Sequence, residues 1–323
     1  MTQMVMEFLV PETDWSPPTS FPDLTNQKEI AIDLETCDPW LRSHGPGWAC
    51  KDRGYIIGIA VATEGWRGYF PVAHTTGANL DKGVVRRWLQ KQLDAPNAKI
   101  FHNAQYDVGW LMAEGYTING EIHDTMMAAP LLNENEYSYS LNSLGKMYLD
   151  EVKDETMLTE AAQIFGVDPK SEMYKLAPKY VGVYAEQDAD LTYRLWQILK
   201  KGISEDNITE IYNLERALLP VLIDMRSKGV RIDTDKAQQV KQQLKKDEDK
   251  VIKEIKNWYG IAPDLWAAQS LAQVFDRAGL EYPKTPKTQA PSFVANWLEA
   301  HDHKLPMAIA KARKLNKART TFI

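Results

Sequence analysis

A short apolar run that ends in two acids constrains this chain more than any other feature. Ile30-Ala31-Ile32 is of strand length and leads without a break into Asp33-Leu34-Glu35. Its length and branching suggest a buried strand. Alternation along a strand then places the Asp33 and Glu35 carboxylates on one face at its end. Around this run the first 200 residues alternate between strand and helix patterns. Residues 55–63 (YIIGIAVAT) and 66–72 (WRGYFPV) read as strands joined by a hairpin-compatible Glu64-Gly65 turn. A helix over about 81–93, a short strand over 99–101 and a helix starting near Asn103 follow, with Asn103 in position to cap it. Residues 121–124 read as an edge segment ahead of an apolar helix over 125–132. Short helices over 140–149 and 155–165 and a long one over about 181–200 complete the pattern. Together these predict a mixed α/β sheet flanked by helices.

After Gly202 the pattern turns helical. Residues 207–228 are amphipathic, with Leu214, Leu218, Leu222 and Met225 on one stripe. Asp233 or Thr234 caps a long charged helix reaching about Tyr259, and two shorter helices and a basic one follow. At 323 residues the chain has room for about two domains. The expected division is an N-terminal arm over 1–28 (four prolines), an α/β domain over 29–203 and a helical segment over 204–323. Charge follows the same division. Residues 1–200 carry 17 Lys and Arg against 28 Asp and Glu, whereas 201–323 carry 21 against 16. An acidic half joined to a basic half suits a molecule that holds cations in one place and a polyanion in another. Two cysteines exclude a disulfide framework or Cys-rich zinc site, and no apolar run approaches the roughly 18 residues of a membrane span. A reducing, cytoplasmic setting is expected.

Four carboxylates and one phenol stand out by position. Besides Asp33 and Glu35, Asp107 lies in FHNAQYDVGWL at the start of a helix that follows a strand. Asp188 lies in YAEQDADLTYRLW, four residues after Tyr184 and on the same helical face. Carboxylates without His or Cys partners are hard oxygen ligands, suited to Mg²⁺ or Mn²⁺ rather than zinc. Two such ions about 3.5–4 Å apart serve phosphodiester hydrolysis. Tyr184, with an ordinary pKa near 10, is a poor general base and a better orienting group for water. The six histidines show no ligand spacing, and no Gly-rich phosphate loop occurs. The 37–54 connection, rich in Trp, Gly and Pro, is long enough to be a binding element. Its Trp40 and Trp48 are candidate base-stacking residues.

This ordered set resembles the proofreading exonucleases of the ribonuclease H-like fold that carry four acids and a tyrosine. The resemblance rests on IAIDLET, FHNAQYDVGWL and YAEQDADLTYRLW. It implies that Asp33, Glu35, Asp107 and Asp188 bind two divalent metal ions, Mg²⁺ with Mn²⁺ as a substitute. Asp33, Glu35 and Asp188 would hold one ion, and Asp33 with Asp107 the other. It also implies that Tyr184 orients the attacking water, that Asn103 and Tyr106 contact substrate, and that Asp124, in HDTMMAAPLL, is a supporting residue. The long 37–54 loop departs from the bacterial pattern.

The C-terminal third, with LERALLPVLIDMRSKGVRIDTDKA and LPMAIAKARKLNKARTTFI, resembles the segment that opens the polymerase part and thumb of family A DNA polymerases. The implied reaction is 3′-5′ exonucleolytic hydrolysis of a single-stranded or frayed DNA end, releasing deoxynucleoside monophosphates. Lys311, Arg313, Lys314, Lys317 and Arg319 would grip the DNA backbone. Because the palm and fingers signatures are absent from this sequence, polymerisation would need a second polypeptide carrying them, as in a split polymerase of the phage type, or the chain is a shortened form. Two rival readings are a ribonuclease D-like RNA exonuclease and a non-catalytic assembly or DNA-binding subunit of a split polymerase.

Overall fold

The computed structural model describes residues 12–50 and 53–322. The first eleven residues of the expected arm, residues 51–52 of the long connection and residue 323 lie outside the described residues. The chain divides into two compact units, Met1–Gly229 and Val230–Ile323.

The first unit is built on a five-stranded sheet: β1 (Glu29–Cys37), β2 (Tyr55–Thr63), β3 (Trp66–Pro71), β4 (Ala98–Phe101) and β5 (Ile122–Asp124), in the order β3-β2-β1-β4-β5. β1 pairs antiparallel with β2 and parallel with β4, so it sits where the sheet changes sense. The mixed α/β architecture is thus the one read from the sequence. Ile30, Ile32 and Leu34 pack with Ile59, Val61 and Phe70 beneath the helices Lys82–Asp94 and Ala104–Ala113. The opposite face is lined by small residues, Ala31, Ala60 and Ala62, under Val181, Ala185 and Ala189 of the helix Pro178–Glu205. Short side chains on both partners let this helix lie close to β1, and that closeness carries its polar residues to the strand's acids. Opposite Glu35 the register of β2 slips, with Ile57 as the extra residue between Gly58 and Ile56. Such a bulge re-aims side chains locally.

Two features differ from the sequence expectation. The described part of the arm is packed rather than free. The Trp15 indole N–H donates to Glu186 (2.9 Å), Phe21 stacks on Phe70 (centroids 5.5 Å apart), and buried Leu24 donates its N–H to Gln92 (2.8 Å). Residues 12–28 form neither helix nor strand, and the three apolar anchors decide where they lie. The second difference concerns the helix Thr209–Lys228. It packs into the first unit through Tyr212, Leu219 and Ile223, while Leu214, Leu218, Leu222 and Met225 stay exposed. The compact unit therefore runs to Gly229, past the 203/204 division read from sequence. This helix has two apolar faces, and the more obvious one is not the one buried here.

The second unit is helical: Thr234–Tyr259, Ala268–Ala278, Ala295–Glu299 and Lys304–Thr321. Asp233 caps the first helix by accepting from the Lys236 N–H (2.8 Å). Ile255, Leu271, Phe275, Leu298, Leu305 and Ile309 form its core. Among the described residues no helix is long and apolar enough to cross a membrane.

Candidate active site

The strand β1 and the helix Pro178–Glu205 build the site between them. Asp33 and Glu35 project toward that helix, which presents Asp188 and, one turn earlier, Tyr184. Carboxylate oxygens of Asp33, Glu35 and Asp188 all lie within 4.8 Å of one another. Asp107 stands outside this triplet but is fastened to it. Its Oδ1 accepts from the Leu34 N–H (3.0 Å), the backbone between the two strand acids.

Asn103 does not cap its helix by its side chain. It takes a left-handed conformation (φ 69°), which asparagine tolerates better than most residues. Buried Asp124 supplies the cap instead. Its carboxylate accepts from the Asn103 N–H (2.9 Å), the Ala104 N–H (2.8 Å) and the Met126 N–H (2.9 Å). One carboxyl group thereby satisfies the orphan donors of two helix starts, and this holds the Asp107 helix at the end of β4.

The acids are crowded and poorly solvated. Burial, aided by the Asp188 charge, pushes Asp33 up to about 7. Burial and the neighbouring Asp33 and Asp188 charges push Glu35 well above the usual carboxylate range. Asp107 is raised likewise by burial and by Asp33, against the Leu34 hydrogen bond. Asp188 is raised by burial, with Lys153 opposing. Tyr184 rises well above 10 through burial and the surrounding carboxylates, so its phenol keeps its proton at neutral pH.

Two lysines that sequence reasoning passed over complete the site. The Lys153 ammonium lies 2.5 Å from Asp188 Oδ2 and 3.4 Å from the Tyr184 hydroxyl. Lys170 Nζ lies 3.2 Å from the same hydroxyl and 4.4 Å from the ring centroid, and it pairs with Glu155 (2.6 Å). Both come from the stretch between residues 150 and 170, where no motif or spacing marked them.

The donor set fits a divalent cation. It is all oxygen, it carries excess negative charge, and Asp188 Oδ1 is buried with no hydrogen-bond partner. Beside the acids opens a cavity of about 500 Å³, lined by Glu35, Thr36, Arg42, Asn103, Tyr106 and Lys170 among others. Tyr106 is fixed in its wall by hydrogen bonds to Thr36 (2.7 Å) and Asp38 (3.1 Å).

The two tryptophans of the long connection separate. Trp40 is 51 % exposed, whereas Trp48 is buried over Gly109, where a Cβ would come within 2.3 Å of the indole. Trp48 is a packing residue and has no face free for a base.

In the second unit the basic residues separate too. Arg313 donates to the carbonyls of Leu265 (2.7 Å) and Phe293 (2.5 Å). Arg319 pairs with buried Glu248 (3.0 Å). Both guanidinium groups are engaged inside the unit rather than free for a phosphate. Lys311, Lys314 and Lys317 are exposed, with Lys314 beside Glu299 (2.9 Å).

The first unit is thus a mixed sheet with helices on its faces and an acidic cluster at its central strand. Residues 19–204 match the family model described as the 3′-5′ exonuclease of family A DNA polymerases. The chain belongs to that family, and residues 19–204 are its 3′-5′ exonuclease domain of DNA polymerase type. It is 33 % identical to the DNA-directed DNA polymerase of Pseudomonas phage M6, over 98 % of this chain and 49 % of the relative. It is 26 % identical to DNA polymerase I of Pseudomonas aeruginosa, over 83 % of this chain and 30 % of the relative. The chain thus spans about half the length, or less, of these curated relatives. Its fold is shared by the polymerase domain of Pol1 from M. smegmatis, solved in complex with DNA primer-template and dNTP. That match has a TM-score of 0.68 and 18 % identity, and covers 92 % of this chain and 46 % of the other.

Proposed function

We propose that this chain hydrolyses the 3′-terminal phosphodiester of single-stranded or frayed DNA, as the proofreading part of a family A polymerase. The observation that carries this reading is the convergence of Asp33, Glu35 and Asp188 within 4.8 Å, with Asp107 fastened beside them. Asp33, Glu35 and Asp188 would hold one divalent ion, Mg²⁺ or Mn²⁺, and Asp33 with Asp107 a second; bound there, the pair supplies an activated water and neutralises charge on the leaving 3′-oxygen. The protein's own contribution is positioning. Tyr184 keeps its proton, so it directs a water by hydrogen bonding instead of deprotonating it. Tyr106 and Asn103 wall the cavity next to Glu35 and suit the terminal nucleotide. Exposed Trp40, in the 37–54 connection, offers a stacking face for a base.

Lys311, Lys314 and Lys317 suit contact with duplex phosphates through their exposed ammonium groups. Polymerisation would require palm and fingers in addition to the 323 residues described by this sequence, and a second polypeptide carrying them is the arrangement proposed here. The exposed stripe Leu214, Leu218, Leu222 and Met225 supports such a partner, because a helix apolar on two faces suits burial from both sides. Two unpaired cysteines and phage and bacterial relatives favour the cytoplasm of a bacterial or phage-infected cell.

The test is release of mononucleotides from matched 3′-labelled DNA and RNA single strands, with Mg²⁺ and with EDTA. Mg²⁺-dependent release that is faster on DNA is expected. Faster release from RNA, or release that survives EDTA, would overturn the reading.

A further inference from the structure

The ammonium of Lys153 occupies the acidic cluster as a built-in part of it. Its side chain is 14 % exposed, and it meets the carboxylate of Asp188, which is 5 % exposed, at 2.5 Å. The backbone that delivers it is fastened on both sides. The Lys153 N–H donates to Asn142 Oδ1 (3.0 Å) and the Asp154 N–H to Gln187 Oε1 (2.7 Å). The Gln187 amide in turn reaches the Val152 carbonyl (3.3 Å). Gln187 adjoins Asp188, so the lysine and its partner acid are held in one register. Of the two lysines at the site, Lys170 is the looser: it is about half exposed and shares its charge with Glu155. Of these two lysines, Lys153 is the one that contacts a carboxylate of the triplet.

We propose that Lys153 is a tethered counter-cation of this site. Its ammonium holds the acids together when no divalent ion is bound, and an ion must displace it to take Asp188. This rests on the reading of the acids as ion ligands. A positive charge beside a cation site in a poorly solvated pocket opposes the incoming ion, and far less so when solvent-exposed. Lys153 is therefore a positioning residue that sets how tightly the site takes its ions.

The test measures Mn²⁺ binding by electron paramagnetic resonance on the full chain without nucleic acid, for wild type, Lys153→Gln and Lys170→Gln. Glutamine keeps a hydrogen-bonding head at Asp188 and removes the charge. Lys153→Gln is expected to tighten Mn²⁺ binding about tenfold, as removal of a close buried charge should. Metal-free Lys153→Gln is expected to melt below wild type, with the gap closing at saturating Mn²⁺. Lys170→Gln should change the affinity by no more than about twofold, being exposed and already paired. Equal or weaker Mn²⁺ binding in Lys153→Gln overturns the proposal while leaving the ion reading standing. No Mn²⁺ binding by either protein overturns both. Wild type alone gives an independent readout through reductive methylation of lysines followed by mass spectrometry. Lys153 is expected to be protected in EDTA and modified with Mg²⁺, and equal protection in the two conditions sinks the displacement.

Discussion

Each unit of this molecule buries acid, and the two do so in opposite ways. In the helical unit Glu248 is 4 % exposed, and both its oxygens are matched: Asn316 donates to one (2.9 Å) and Arg319 to the other (3.0 and 3.1 Å). In the α/β unit Asp33, Glu35 and Asp188 converge with Asp107 behind them, and Lys153 is the ammonium seated on a carboxylate of the triplet. A satisfied buried pair is a packing device that sets which helices meet. A surplus of buried like charge costs stability and persists where a ligand is to neutralise it. Unmet charge, rather than buried charge, separates the site from the scaffold.

The largest effect expected from that contrast is on turnover. Asp33→Ala should lower exonuclease activity by about a thousandfold or more, with an unchanged circular dichroism spectrum, and activity near wild type would erase the distinction drawn between the two clusters. The pH dependence of stability comes next. Asp33 is raised to about 7, so between its unfolded value near 3.9 and pH 7 the folded state holds a proton that the unfolded state has lost. Metal-free protein should therefore lose stability as pH rises through that window, and melting scans with saturating Mg²⁺ should show the decline flattened. A decline of equal size with and without the ion would mean that the acids are not its ligands. Glu248→Gln, by contrast, should cost about 2 kcal/mol in urea unfolding, because Arg319 loses its counter-charge but stays partly hydrated. It should leave the rate per folded molecule unchanged. Smallest is Trp40→Ala, for which the KM on single-stranded DNA should rise about fivefold, near 1 kcal/mol of stacking, with kcat little changed. Trp48→Ala should instead cost about 3 kcal/mol of stability, so the same KM shift in both variants would argue against the packing role of Trp48.

Much of this was legible before any coordinates. The strands and principal helices fall close to where apolar runs and periodicity placed them, and the three acidic motifs identified the family. Less legible were features without a local signal. Asn103 occupies a cap position by sequence, yet Asp124, twenty-one residues on, does the capping because β5 runs beside β4. Trp40 and Trp48 look equivalent in a Trp-rich loop, and only the gap above Gly109 tells them apart. The stripe Leu214, Leu218, Leu222 and Met225 outshone Tyr212, Leu219 and Ile223, although the latter three are the ones buried.

By itself, the sequence determined the local chemistry: which segments are strand or helix, and that each acid would stand at a strand end or on a particular helical face. Those properties follow from periods of two and 3.6 residues and need no partner. The tertiary structure alone decided which charges share a space. The small residues of β1 and β2 admit the Asp188 helix, and a segment without periodicity brings Lys153 to its carboxylate. Electrostatic neighbourhood depends on distance through space, and distance along the chain does not encode it.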